Sequence, residues 1–173
     1  MKTTMLVMVA MMWVLGAVSA KAENIAIEDR LAIIDVITNI AAGADRHQWD
    51  RVRNAFADEV VLDYTSLWGG KPSTLSGDEV IASWSGFLPG FDRTLHLVTN
   101  HTIVAKDDDR AVAEADFQAT HRIGNAIWQL MGHYHYELTR IGSVWKVTSL
   151  TMTYTHETGD RGLVEQAGRR QQH

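Results

Sequence analysis

Residues 111–123 read Ala-Val-Ala-Glu-Ala-Asp-Phe-Gln-Ala-Thr-His-Arg-Ile. Ala113, Ala115, Phe117, Ala119 and Ile123 hold odd positions, whereas Glu114, Asp116, Gln118, Thr120 and Arg122 hold even ones. A period of two sustained over this length marks a strand with one face in a core and the other in water. His121 falls on the apolar parity and is expected to point inward. A charged turn at 106–110 separates this strand from one at 93–105. Gly124-Asn125 separates it from a partner at 127–140, and a last strand follows at 144–155. Four sequential strands most simply form an antiparallel meander.

Upstream the period changes. Ile27, Leu31, Ile34, Ile37, Ala41 and Ala44 recur at helical spacing, with Ile33 and Ile40 widening the stripe, which predicts an amphipathic helix over 27–44. A short helix over 49–55, a β-branched strand over 60–64 and a Gly- and Pro-containing loop over 67–73 follow. Ser76-Gly77-Asp78-Glu79 has the form of a capping box, opening a helix that runs to about residue 87. Helices first and strands afterwards define the α+β class. The expected architecture is a curved antiparallel or mixed sheet wrapped over N-terminal helices, a cone with an internal apolar pocket. One domain over 23–158 and a polar C-terminal tail over 159–173 account for the mature chain.

The 173 residues are 46% hydrophobic and 21% charged, with 13 Gly, 2 Pro and no Cys, the make-up of a globular domain. Without cysteine there is no disulfide, no thiolate zinc site and no thiolate nucleophile, so chemistry falls to His, Asp, Glu, Tyr, Ser, Lys and Arg. The first 22 residues read as an export signal: Lys2, an uncharged apolar run over 5–18, and the small-x-small triplet Ala20-Lys21-Ala22. The apolar run is short for a membrane span. Cleavage near Ala22 would release an exported domain, periplasmic or secreted, and removing Lys2 and Lys21 takes the formal charge from −5 to −7. An acidic domain of this kind lacks the basic face that nucleic acid or an anionic membrane requires.

Four residues are candidates for chemistry, each with a plainer reading beside it. His121 can be a hydrogen-bonded core histidine. His96 lies in Arg93-Thr94-Leu95-His96-Leu97-Val98, where both parities are apolar and the pattern does not fix its facing. Asp45 begins Asp45-Arg46-His47-Gln48, which resembles a capping box for the second helix. Tyr64 shares parity with Val60 and Leu62 and points inward, where a packed aromatic is the simpler account. His133 and His135 share one strand face, a spacing able to serve a metal. Their parity is the polar one of Gln129, Glu137 and Thr139, and no further ligand set is identifiable, so no metal is expected.

Asp45 in Ala44-Asp45-Arg46-His47-Gln48-Trp49, Asp63-Tyr64-Thr65-Ser66, Thr94-Leu95-His96, His121 and Val144-Trp145-Lys146-Val147 together resemble the SnoaL-like branch of the nuclear-transport-factor-type cone fold. The nearest likenesses within it are to proteins of the scytalone dehydratase and hexachlorocyclohexane dehydrochlorinase type, over residues 28–159. The resemblance implies that Asp45 orients a catalytic His96. It also implies that Tyr64 donates a hydrogen bond, directly or through water, to a substrate carbonyl, and that His121 is a second pocket histidine. A second tyrosine of the dehydratase pattern is Ala44 here, and its late-strand Ser and Asn pair has no clear match near 132–136.

The chemistry of those side chains is coherent. A neutral imidazole suits proton abstraction near neutral pH, and a buried carboxylate fixes its tautomer and stabilises the imidazolium. Tyr64 and His121 would stabilise a developing oxyanion or protonate a leaving hydroxyl. No cofactor is needed. The expected function is a cofactor-independent, dehydratase-like lyase or isomerase acting on a small hydrophobic, cyclic hydroxylated or carbonyl compound. The alternatives are an exported, non-catalytic module that holds a hydrophobic ligand in the same pocket, and an association domain using the outer sheet face. Apolar residues of outward parity such as Met131, beside His133 and His135, invite a homo-dimer or homo-trimer.

Overall fold

The computed structural model describes residues 25–171. The export signal read at 1–22 therefore lies outside the described residues. Helix α1 (Ile27–Asp45) and the short α2 (Trp49–Arg53) lead into strand β1 (Phe56–Asp63), a single helical turn α3 (Thr65–Trp68) and strand β2 (Ser73–Ser76). Helix α4 (Gly77–Ser85) and a 3₁₀ turn at Leu88–Gly90 precede β3 (Arg93–Ala105), β4 (Arg110–Ile123), β5 (Ala126–Ile141), β6 (Val144–Gly159) and a final helix α5 (Leu163–Arg170). The six strands form one sheet in the order β2-β1-β6-β5-β4-β3. The meander pairs antiparallel throughout, while β1 runs parallel to β6, so the sheet is mixed.

The parity of β4 sets the layers. Ala111, Ala113, Ala115, Phe117, Ala119, His121 and Ile123 are all buried. A bulge between Thr99 and Thr102 in β3, and extra residues Thr155 and Thr148 in β6 opposite Met131/Gly132 and Glu137/Leu138 of β5, bend the sheet around that inner face. Gly132 is required opposite the first of these, because a Cβ there would lie 2.0 Å from the Thr153 carbonyl oxygen.

The buried stripe of α1 is rotated from the expected one. Ile33, Ile37, Ile40 and Ala44 are buried, whereas Ile27 and Leu31 keep 59% and 56% of their surface. Helical spacing puts Asp29 in line with the buried set, and its carboxylate accepts from Arg140 Nη2 (2.8 Å) and Trp145 Nε1 (3.0 Å). That anchor selects the face that turns inward.

Other boundaries move for local reasons. Exposed Asp58 and Glu59 hide the start of β1, which begins at Phe56, not 60. The stretch expected as a loop over 67–73 contains the end of α3, and the segment after it pairs with β1 as edge strand β2. The capping box forms as expected: Ser76 Oγ accepts from the Glu79 amide (3.2 Å) and Glu79 Oε2 accepts from the Ser76 amide (2.7 Å). The polar tail expected after 158 is instead the end of β6 and helix α5. Leu163 and Ala167 are buried there, and Arg170 Nη1 donates to Asp92 (2.9 Å) and to the Gly90 carbonyl (2.8 Å). Four polar residues at 169–172 mask two apolar positions one helical turn apart.

Candidate active site

The cone encloses a cavity of about 570 Å³, within the range of roughly 300–1,000 Å³ usual for small-molecule sites. Its walls are mostly apolar, with Ile40, Leu62, Leu88, Leu130, Leu150 and Met152 among them, and Trp68, Trp84 and Trp128 also contribute. Three of the four predicted residues, Tyr64, His96 and His121, line it. The fourth, Asp45, stands behind His96.

Asp45 is the last residue of α1, and the turn after it does not cap α2. The N-cap of α2 is Gln48, and no side-chain cap bond forms there. The chain reverses through His47 at φ 54°, and the Gln48 amide donates to the Gly43 carbonyl (2.9 Å). Gly43 permits this tight packing, since a Cβ would lie 2.7 Å from Val52. The Asp45 carboxylate is thereby free to face β3. Its Oδ2 accepts from the His96 amide (2.7 Å), and its Oδ1 accepts from Thr94 Oγ1 (2.8 Å) and contacts His96 Nδ1 at 2.6 Å. Burial alone would raise the Asp45 pKa, but the hydrogen bonds and charge of His96, with Thr94, outweigh it and hold the carboxyl below its ordinary value. An ionised carboxylate only accepts, so His96 donates through Nδ1–H, and the neutral tautomer that this contact selects carries its lone pair on Nε2.

His121 is 4% exposed. Phe91 and Trp128 lie against it, each 4.8 Å between ring centroids, and His96 meets it edge-on at 5.4 Å and 89°. Its Nδ1 has no hydrogen-bond partner among the described residues. Burial, and then the neighbouring His96, lower its pKa to about 3. At neutral pH His121 is an uncharged imidazole, able to donate a hydrogen bond but with no ionised proton to give a leaving group.

Tyr64 is half-buried at the turn between β1 and α3, and burial pushes its hydroxyl pKa upward. Two further cavity tyrosines, Tyr134 and Tyr136, escaped the sequence reading. They share the parity of Trp128 and Leu130 on β5, and that parity was the available signal. Burial first, and then Tyr64, hold both hydroxyls well above the ordinary tyrosine value. Thr94, which braces Asp45, was also missed. His133 and His135 lie on the outer sheet face, where His135 Nδ1 contacts Glu114 Oε1 at 2.5 Å.

The SnoaL-like domain model matches residues 26–151, and the chain belongs to that family. The same cone is seen in the Kfla4162 protein from Kribbella flavida, at 26% identity over 80% of this chain and 97% of that one, with a TM-score of 0.75. It recurs in a protein described as a scytalone dehydratase from Novosphingobium aromaticivorans (17% identity, 78% and 89% covered, TM-score 0.67). A third similar structure is hexachlorocyclohexane dehydrochlorinase LinA-type3 from Novosphingobium barchaimii (21% identity, 79% and 92% covered, TM-score 0.66). No curated protein matches the sequence.

Proposed function

We propose that this protein is a cofactor-independent lyase or isomerase whose general base is His96, oriented by Asp45. One observation carries the reading: a carboxylate with three hydrogen bonds fixes an imidazole at the wall of an apolar cavity. In this reading a small cyclic compound binds with an acidic C–H toward His96 Nε2. The C–H bond breaks, the proton passes to Nε2, and Asp45 stabilises the imidazolium. The electron pair moves toward a carbonyl oxygen that accepts from Tyr64, with neutral His121 beside the site as a further donor. A β-leaving group then departs, or the proton returns at another carbon. The similarity to proteins described as a dehydratase and a dehydrochlorinase supports this reaction class.

A thermal-shift screen of hydroxylated aromatic, steroid and polyketide-like compounds identifies ligands, and each is then assayed for turnover. His96→Ala is expected to keep ligand affinity and to lose about a hundred- to ten-thousandfold in rate. Wild-type turnover in a folded His96→Ala protein overturns the mechanism. If the wild type binds compounds but converts none, the cavity serves as a non-catalytic carrier site.

Residues 1–22 act, in the same reading, as a cleaved export signal, and the outer sheet face joins copies as a dimer or trimer. Intact mass and light scattering of the exported fraction check both. A full-length cytosolic monomer is the result against them.

A further inference from the structure

Three phenols meet in the cavity without a protein partner. Tyr134 and Tyr136 are two residues apart on β5, so the pleat directs both inward, where only 7% and 2% of their surface is exposed. Tyr64 enters from the end of β1, and all three line the cavity. Among the described residues no group accepts a hydrogen bond from any of the three hydroxyls. They are not sealed in the wall either, since the sealed polar side-chain atoms lacking a partner are His101 Nε2 and His121 Nδ1. Their hydroxyls open on the cavity space.

Packing does not account for those oxygens. Tyr134 stacks on Phe117 at 4.3 Å and 23° and meets Tyr136 at 5.6 Å, contacts that phenylalanine rings would make equally well. The two hydroxyls therefore add nothing to the ring packing, and they turn two hydrogen-bond donors toward the cavity. A ligand that brings acceptor oxygens would pair with them. His96 offers the complementary group, a lone pair.

The geometry points to Tyr134 and Tyr136 as substrate-binding donors that, with Tyr64, hold a ring compound through carbonyl or enolate oxygen, and so to an oxygenated substrate class, not a haloalkane. The substrate class rests on the proposed base at His96, whereas the oxygen site itself needs only the cavity. When the C–H bond breaks and its proton moves to His96 Nε2, the electron pair delocalises onto the carbonyl oxygen. That enolate accepts more strongly from the phenols, which keep their protons.

The test uses 1-tetralone, a bicyclic ketone that only accepts hydrogen bonds, and tetralin, the same skeleton without oxygen. Calorimetry gives both affinities, and infrared difference spectra give the stretch of the bound carbonyl. The wild type is expected to prefer the ketone about tenfold or more and to shift its stretch to lower frequency than in hydrocarbon solvent. Tyr134→Phe and Tyr136→Phe should each restore part of that frequency and weaken ketone binding about three- to tenfold. Tetralin affinity should hold, and melting temperatures should change little. An unchanged stretch and affinity in the folded double variant overturns the proposal, as does failure of the wild type to bind the ketone. His96→Ala separates the two readings. If its turnover survives while the tyrosine variants lose the carbonyl shift, the base reading fails and the oxygen site stands. The reverse result removes the oxygen site alone.

Discussion

Two histidine–carboxylate contacts of almost equal length sit on opposite faces of the same sheet. Inside, His96 Nδ1 meets Asp45 at 2.6 Å; outside, His135 Nδ1 meets Glu114 at 2.5 Å. The inner side chains keep 16% and 10% of their surface, the outer ones 38% and 48%. Thr94 and the His96 amide further hold the inner carboxylate, while water surrounds the outer pair. Length alone therefore does not make a site. What differs is the screening of the charge and a cavity on the far side of the ring, where a reacting atom can stand.

The strongest test removes the charge while keeping the shape. Asp45→Asn retains a hydrogen-bonding group but does not stabilise an imidazolium, and it should lower turnover about a hundred- to ten-thousandfold. Glu114→Gln should leave turnover unchanged on the same substrate. Equal rates in Asp45→Asn and wild type would make the inner pair as inert as the outer one. Stability offers a second readout. Asp45 is held below its ordinary value of 3.8, so its contribution is complete above that pH and fades as pH falls through the folded value. Asp45→Asn should flatten that part of the acid limb in chemical denaturation.

The second test concerns His121, the inner face's other histidine. Its pKa is lowered from 6.5 to about 3, so the unfolded chain takes up a proton before the folded one does. The stability it permits is full above about pH 6.5 and falls as pH drops toward 3. Integrated over that window the loss is on the order of a few kcal/mol. His121→Phe, which fits the stack between Phe91 and Trp128, should flatten the urea midpoint between pH 6 and 4, a window above the Asp45 transition. A variant that tracks wild type across this range would show that His121 is not held neutral.

The same contrast explains what the sequence disclosed. Alternation in β4 located the inner face and His121, because one side chain in two meets the core and the chemistry of burial is written into residue type. The meander strands followed from the same rule, and the α4 cap from a local motif. Asp45 and His96 are different. They lie 51 residues apart, and neither parity nor spacing joins them; residue patterns matching a known family brought them together. Tyr134 and Tyr136 were legible by parity but were not singled out, since an aromatic ring on a buried face looks the same whether or not its hydroxyl has work to do. Strand β2 and helix α5 stayed hidden for a further reason. Polar composition at an edge strand and on a half-exposed helix resembles that of a loop, and tertiary contacts decide the outcome.

The smallest effect belongs to the outer pair. A double-mutant cycle with Glu114→Gln and His135→Gln should give a coupling of about 0.2–1 kcal/mol that weakens as salt is raised, as for other exposed pairs. The measurement is urea denaturation of the four proteins at low and high ionic strength. Because the two residues face each other across neighbouring strands, in register at Glu114 and His135, the cycle reads their contact with little backbone contribution. The proposed oligomer adds a condition. Met131 and His133 lie further along β5, and a partner seated on this face would cover Glu114 and His135 as well, shielding the pair from salt. A coupling well above that range and indifferent to salt would mean that the outer pair is buried in the assembled protein. It should then shrink on dilution below the dissociation constant of the assembly. A small, salt-sensitive coupling at all concentrations would leave this part of the face exposed, and would confine to the cone interior the environment that distinguishes His96 from His135.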